Sequence, residues 1–318
     1  MKAYLNSVLF LISLALFPGL VSGQSDFPNR PITLVNPMVA GAATDISARL
    51  IAKVAEKYFG HPVVVVNKTG GGGTVGTAAV AAAKPDGYTV GCLLTTPMMA
   101  IPHLEKLTYH PVKDLEPIIQ YSILNFAISV RDDSPYKTFK EVIEYARKHP
   151  GVVTYATSGV NNAQHIIMEA IAREEKVEWI HVPFKGGAES LIAVTGGHVS
   201  LAAGDISFSL VKAKKLRLLV MFLEERSSEF PDIPTLKELG YKAPIPYFMG
   251  LGGPKGIPEP IMTKLEDTFT KAFRDPEFSS GMKTSNLLLS YRNRKDFGDY
   301  IARNFEQTGK AIQEMKKK

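Results

Sequence analysis

Residues 31–76 read PITLVNPMVAGAATDISARLIAKVAEKYFGHPVVVVNKTGGGGTVG. Pro31 to Val35 is a short β-rich run. Asp45 to Tyr58 has helical spacing, with Ile46, Leu50, Ile51 and Val54 predicted on one face. His61-Pro62 turns the chain into a second β-rich run, Val63 to Val66. Beyond the glycines come the alanine-rich segment Thr77 to Ala83, the turn Pro85-Asp86-Gly87 and a third strand, Tyr88 to Leu94. Strands alternating with helices predict βαβ units in parallel sheets.

The rhythm continues downstream. Strands are predicted at 125–130, 153–157, 178–182, 199–203 and 216–221, with helices at 138–148, 164–174 and 188–195. Helices at 259–274 and 295–315 close the chain, and there is no clear internal repeat. Between them, Pro246-Tyr-Phe-Met-Gly-Leu-Gly-Gly253 is apolar, aromatic and glycine-rich and reads as a crossover back to the first unit. This many units fit two sheets better than one.

Working outward to the N-terminus, Lys2 precedes a charge-free apolar run from Val8 to Leu20, followed by Val21-Ser22-Gly23. A run that is short, broken by Pro18 and followed by small residues predicts a secretory signal peptide, residues 1–23, rather than a membrane anchor. The remaining chain of about 295 residues suits two lobes better than one core. The lone cysteine, Cys92, lies in an apolar strand, so neither a disulfide nor a cysteine metal site nor a lipid-anchor acceptor is expected. The net charge of +6 is spread along the chain without aromatic interleaving, which argues against nucleic acid. The seven histidines show no His-x-x-x-His pair, so no metal or cofactor is expected.

The polar chemistry lies after the strands, where open α/β sheets bind ligands. Asn36 to Asp45 supplies Ala40, Gly41 and Ala42 for close backbone approach, with Thr44 or Asp45 able to cap the next helix. The first N–H groups of a helix lack internal partners and suit an anion. Four glycines, Gly70 to Gly73, lead through Thr74 to Gly76 and can fold into an anion-binding concavity. Thr95-Thr96 follows the third strand. In the second half, Thr157 to His165, Phe184-Lys-Gly-Gly-Ala188 and Gly204-Asp-Ile-Ser207 repeat the theme. Each loop has a plainer reading as a flexible turn or a helix cap, Asp205 included. Gly71-x-Gly73-x-x-Gly76 matches the dinucleotide fingerprint, but the acidic residue expected roughly 20 positions on is missing. Ser158, His165 and Asp205 could form a hydrolase triad on paper, yet Ser158 lacks the Gly-x-Ser-x-Gly elbow.

Taken in order, several segments resemble the receptors of tripartite tricarboxylate transporters, also called Bug-type periplasmic binding proteins. They are Phe27-Pro-Asn-Arg-Pro-Ile32, Gly41-Ala-Ala-Thr-Asp45, Val63 to Asn67 with its glycine loop, and Lys84-Pro-Asp-Gly-Tyr88. Pro111-Val-Lys-Asp-Leu115, Tyr155-Ala-Thr-Ser-Gly159, His181 to Gly187 and Pro231-Asp-Ile-Pro-Thr235 continue the series. The resemblance implies an α/β, two-lobed periplasmic-binding-protein fold of type II-like form, each lobe a mostly parallel sheet flanked by helices. It places the first lobe at 24–123, the second at 124–247 and the return to the first at 248–318.

The resemblance also implies a periplasmic, unlipidated, monomeric receptor that is not an enzyme. Such a receptor captures a small organic carboxylate by hinge closure and hands it to integral-membrane transporter subunits. The implied ligand-binding residues are Ala40, Gly41, Ala42, Thr44, Asp45, Gly72, Gly73, Thr74 and Gly76, with Thr95 and Thr96 beside them. In the second lobe they are Ser158, His165, Lys185, Gly186, Gly187 and Asp205. A ligand-sensor subunit and a secreted serine hydrolase are the alternatives. Where the family usually reads Pro-Gly-Gly, this chain has Ala40-Gly41-Ala42, and Pro97-Met98-Met99 follows Thr96. A methionine-rich mouth predicts a less polar acid than citrate, and Asp205 predicts a ligand with an amine or hydroxyl donor.

Overall fold

The computed structural model describes residues 27–316, apart from 125, 224, 228 and 242–246. The predicted signal peptide, residues 1–23, lies outside the described residues. In chain order the elements begin with β1 (Ile32–Asn36), α1 (Ala43–Phe59), β2 (Val63–Asn67), α2 (Thr74–Ala81), β3 (Thr89–Leu94), β4 (Leu115–Ile123) and β5 (Phe126–Arg131). Then come α3 (Phe139–Lys148), β6 (Thr154–Thr157), α4 (Ala163–Glu175), β7 (Ile180–Pro183), α5 (Gly187–Thr195), β8 (Leu201–Asp205), α6 (Phe208–Lys212) and β9 (Leu216–Met221). The last are β10 (Met249–Pro254), α7 (Glu259–Arg274), α8 (Pro276–Thr284), β11 (Leu288–Arg292) and α9 (Arg294–Lys316).

The strands form two sheets, in the orders β11-β4-β10-β3-β1-β2 and β7-β6-β8-β5-β9. The chain crosses from the first sheet to the second between Ile123 and Phe126 and returns before Met249. Each sheet is mixed rather than mostly parallel. The βαβ halves, β2-β1-β3 and β7-β6-β8, are parallel as the alternation predicts. The antiparallel pairings come from the strands at the crossovers, β4, β5 and β10, with β9 and β11 beside them. A strand that arrives from the other lobe enters its sheet without a helical crossover, and so runs against its neighbours.

Helix α1 shows how the first lobe closes. Its inward face is Ala48, Ile51, Ala52, Val54, Ala55 and Phe59, all buried, whereas Ile46 is 37% exposed and lies off the predicted stripe. Gly60 ends the helix in the left-handed conformation, donating its N–H to Glu56 O. In α3, Thr138 and Glu141 make a reciprocal capping box. Cys92 is a buried apolar packer whose thiol pKa burial pushes up to about 12. One apolar cluster runs from the first sheet into the second through Met98, Phe248, Tyr300, Phe126 and Ile166.

Strand β10 occupies the glycine-rich stretch read from sequence as a simple crossover. Its glycines admit close neighbours. A side chain at Gly250 would overlap the Phe297 ring and approach Ile119 O at 2.7 Å. One at Gly252 would meet Leu93 Cδ1 at 2.5 Å and Glu116 O at 2.8 Å. Gly250→Ala should therefore overpack the lobe by about 1–3 kcal/mol, read as a lower urea midpoint at unchanged slope. A midpoint equal to wild type would contradict this packing.

Candidate functional site between the sheets

Strands β1, β2 and β3 are parallel and end on one edge of the first sheet, with Asn36 aligned to Asn67. Three connections leave that edge together and meet at Gly73. A Cβ there would lie 3.2 Å from Pro97 Cγ, 3.3 Å from Met38 Cε and 3.5 Å from Pro37 Cβ, at a φ of +100°. Gly76 is equally constrained, since a Cβ would sit 2.6 Å from Lys68 O and 2.8 Å from Pro37 Cα. Gly73 and Gly76 thus let the predicted loops pack on one another.

Asp45 fastens the first loop. Its Oδ2 accepts from the Gly41 N–H at 2.9 Å and from Arg49 Nε at 3.0 Å. Its Oδ1 accepts from Asn67 Nδ2 at 2.8 Å and Asn36 Nδ2 at 3.4 Å. Asn67 Nδ2 also donates to Met38 O at 2.9 Å, and Arg49 donates to Asn67 Oδ1 at 2.9 Å. Both carboxylate oxygens are thus engaged within the protein. Burial pushes the Asp45 carboxyl up, but the Arg49, Gly41 and Asn67 hydrogen bonds outweigh it and hold the pKa at about 2. Asn36, Asn67 and Arg49 are the residues that sequence reasoning missed here. The i,i+4 spacing of Asp45 and Arg49 was the one available signal.

The same edge presents free donors. Helix α1 starts at an extended Ala42 with no side-chain cap. The N–H groups of Ala43, Thr44 and Asp45 find no acceptor among the described residues, nor do those of Gly71 and Gly72. Gly70 to Gly73 all have positive φ, a run of backbone conformations that glycine adopts at no steric cost. Two polar side-chain atoms, Thr44 Oγ1 and Asn36 Oδ1, are buried without a hydrogen-bond partner. Buried polar atoms are ordinarily paired, and such an orphan is costly. Thr74 Oγ1 instead donates to Gly71 O at 2.9 Å. Ala40 and Gly41 lie exposed on the outer turn.

Thr95 is turned inward, where its hydroxyl accepts the Phe248 N–H at 2.9 Å and holds the return connection. Thr96 opens a turn of π-helix whose Met98 and Met99 are fully buried in the apolar cluster. They therefore do not form the methionine-rich mouth expected from the sequence. The run Pro97-Met98-Met99-Ala100 packs as core because the turn directs it beneath the loops.

On the second sheet the corresponding residues lie in the connection after β6 and at the start of α5. Ser158 Oγ accepts from Asn162 Nδ2 at 3.2 Å, and Asn162 Oδ1 caps α4 at the His165 N–H, 2.9 Å. His165 Nδ1 accepts the Asn161 N–H at 3.1 Å, and its ring stacks on His181 at 4.0 Å between centroids. His181 stacks in turn on Tyr155 at 4.9 Å, and its Nε2 lies 2.7 Å from Thr157 Oγ1. Burial lowers both imidazoles, His181 to about 4, so both are neutral at pH 7. Gly187 makes room for Asp205, because any side chain there would overlap the carboxylate. Lys185 is exposed, and its N–H donates to Glu189 Oε2 at 3.1 Å, with Gly186 next as the extended N-cap of α5.

Ser158 and His165 each bond to asparagine groups rather than to one another, and His165 makes no bond to Asp205. Among the described residues no group of three or more His, Cys, Asp or Glu could hold a metal. None of the helices there is long and apolar enough to cross a membrane. What the first-sheet edge offers is backbone N–H groups without acceptors among the described residues, beside a buried hydroxyl and a buried amide oxygen without partners.

The Asp45 pKa sets a pH prediction. A carboxylate held at about 2 stabilises the fold above its unfolded value near 3.8, and that stability is lost as pH falls through the folded pKa. Asp45→Asn should cost about 2 kcal/mol at pH 7 and shrink the acid sensitivity of urea unfolding between about pH 4 and 2. Identical pH profiles for the two proteins would refute this role.

The tripartite tricarboxylate transporter family receptor profile matches residues 47–316. A Cupriavidus necator protein, described as a UPF0065 protein in the gbd 5' region, is 37% identical over 316 residues, covering 99% of this chain and 96% of its own. MatC from Rhodopseudomonas palustris, solved with bound malate, superposes with a TM-score of 0.76 at 27% identity, over 90% of this chain and 100% of its own. An R. palustris protein solved with adipate gives 0.78 at 26% identity, over 91% and 98%. The two-sheet fold, the loops on one edge and these likenesses agree: the chain belongs to the tripartite tricarboxylate transporter receptor family, with its two-lobed α/β fold.

Proposed function

We propose that this protein is a periplasmic receptor that captures a small organic carboxylate by hinge closure and delivers it to membrane transporter subunits without chemical change. The observation that carries the reading is the set of unpartnered N–H groups at Ala43, Thr44, Gly71 and Gly72, beside the orphan Thr44 hydroxyl. Helix starts and glycine concavities carry partial positive charge, so they match a carboxylate without any cationic side chain. The malate and adipate held by the two relatives support an organic acid. The first lobe is assigned to 24–123 and 248–318 and the second to 124–247, with residues 1–23 as a cleaved signal. The receptor acts as a monomer.

Ala40, Gly41 and Ala42 shape the rim, Gly72 and Gly73 the cradle, and Thr44 contacts the carboxylate. Asp45 acts by holding Gly41 in place. Ser158, His165 and Lys185 to Gly187 close from the second lobe, removing water and strengthening each hydrogen bond.

Titration calorimetry against a panel of organic acids tests the reading, with small-angle scattering to follow the expected compaction. Binding of no acid, or binding without compaction, would contradict it. Thr44→Val gives a sharper readout. Its hydroxyl lacks an intramolecular partner, so stability should hold or rise while affinity falls about tenfold. Equal losses of stability and affinity would make Thr44 merely structural.

A further inference from the structure

Asp205 ends β8 and pairs with Phe126, the first residue of β5 after the outward crossover. Tyr247 lies just ahead of β10 on the return connection, and its ring packs on Phe126 at 4.7 Å. Asp205 therefore stands where both connections between the sheets pass. Its residue stays open to solvent. It forms no ion pair among the described residues, although exposed Lys185 lies two residues before Gly187, on which the carboxylate rests. The adjoining start of α5 takes no side-chain cap, so the plainer role of helix cap is not filled. Tyr247 is 6% exposed, and its hydroxyl is buried with no hydrogen-bond partner.

Resting on the receptor reading above, we propose that Asp205 and Tyr247 form a distal subsite for an ammonium group, so that the ligand is an amine-bearing carboxylate. An ammonium has three donors and no acceptor. The Asp205 carboxylate and the Tyr247 oxygen are both acceptors, and a charge-assisted bond is the stronger kind. Asp205 is open at its surface yet crowded by the protein around it, which raises its carboxyl, and burial, followed by the Asp205 charge, pushes the Tyr247 phenol up. A ligand cation relieves both effects. A second ligand carboxylate would instead meet the like charge of Asp205, which has no ion-pair partner among the described residues. A hydroxyl would satisfy the hydrogen bonds but leave the charge unpaired.

The test is calorimetry on the full mature chain with sets of acids matched in chain length apart from the extra carboxyl carbon of the dicarboxylate. These are adipate, δ-aminovalerate, norvaline, δ-hydroxyvalerate and valerate, then the corresponding set built on glutarate and butyrate. In each set an amine-bearing acid should bind at least about tenfold tighter than the dicarboxylate, the hydroxy acid and the plain acid. Asp205→Asn should remove that preference, so that the amine-bearing acid loses at least about tenfold in affinity relative to the plain acid measured on the same variant. Tyr247→Phe should remove a smaller part, about threefold. Tighter binding of the dicarboxylate or the hydroxy acid by the unaltered protein, a comparison that needs no variant, would overturn this inference alone. Binding of no acid at all would overturn the receptor reading with it.

Discussion

The Asp45 carboxylate is the interaction on which the first-lobe site depends. One buried group accepts from Gly41, Asn36, Asn67 and Arg49, and so ties the end of β1, the end of β2 and the start of α1 into one unit. The Asn67 amide then reaches Met38 O, which fixes the turn between them. With the Asp45 carboxylate engaged internally, the N–H groups of Ala43, Thr44, Gly71 and Gly72 remain without acceptors among the described residues. A site made of backbone dipoles needs this kind of fixation, because free loops would lose the donor geometry to chain entropy.

The candidate edges of the two sheets differ in character. The first-lobe edge is rich in donors and holds its one carboxylate internally. The second-lobe edge carries two neutral stacked imidazoles and the unpaired Asp205. Under the proposed function, a ligand reaching from one edge to the other would meet partial positive charge at one end and the Asp205 carboxylate at the other. Most of the glycines here serve packing. Gly73 and Gly76 let three connections meet on the first sheet, and Gly187 seats Asp205 on the second.

Much of this was legible in the sequence. The helix at 259–274 and the strand at 216–221 fall where the periodicity puts them, and the loops after β1 and β2 lie together because their strands are parallel neighbours. Strands β4, β10 and β11 were not legible. Their pattern is set by long-range antiparallel pairing across the crossovers, and in β10 glycines replace the alternating side chains that mark a strand. Met98 and Met99 read as mouth residues because they follow a polar Thr-Thr pair, yet a π-helical turn sends them inward. The roles of Asn36, Asn67 and His181 depend on which strands become neighbours, which local pattern does not encode.

The central claim is that a carboxylate is held by the backbone at the edge of β1 and β2. Amide NMR spectra recorded while the best-binding acid is titrated in test it most directly. The account predicts large shifts confined first to the N–H signals of Ala43, Thr44, Gly71 and Gly72, with smaller ones at the β6–α4 connection as the lobes close. Shifts clustered elsewhere, with these four signals unmoved at saturation, would contradict it.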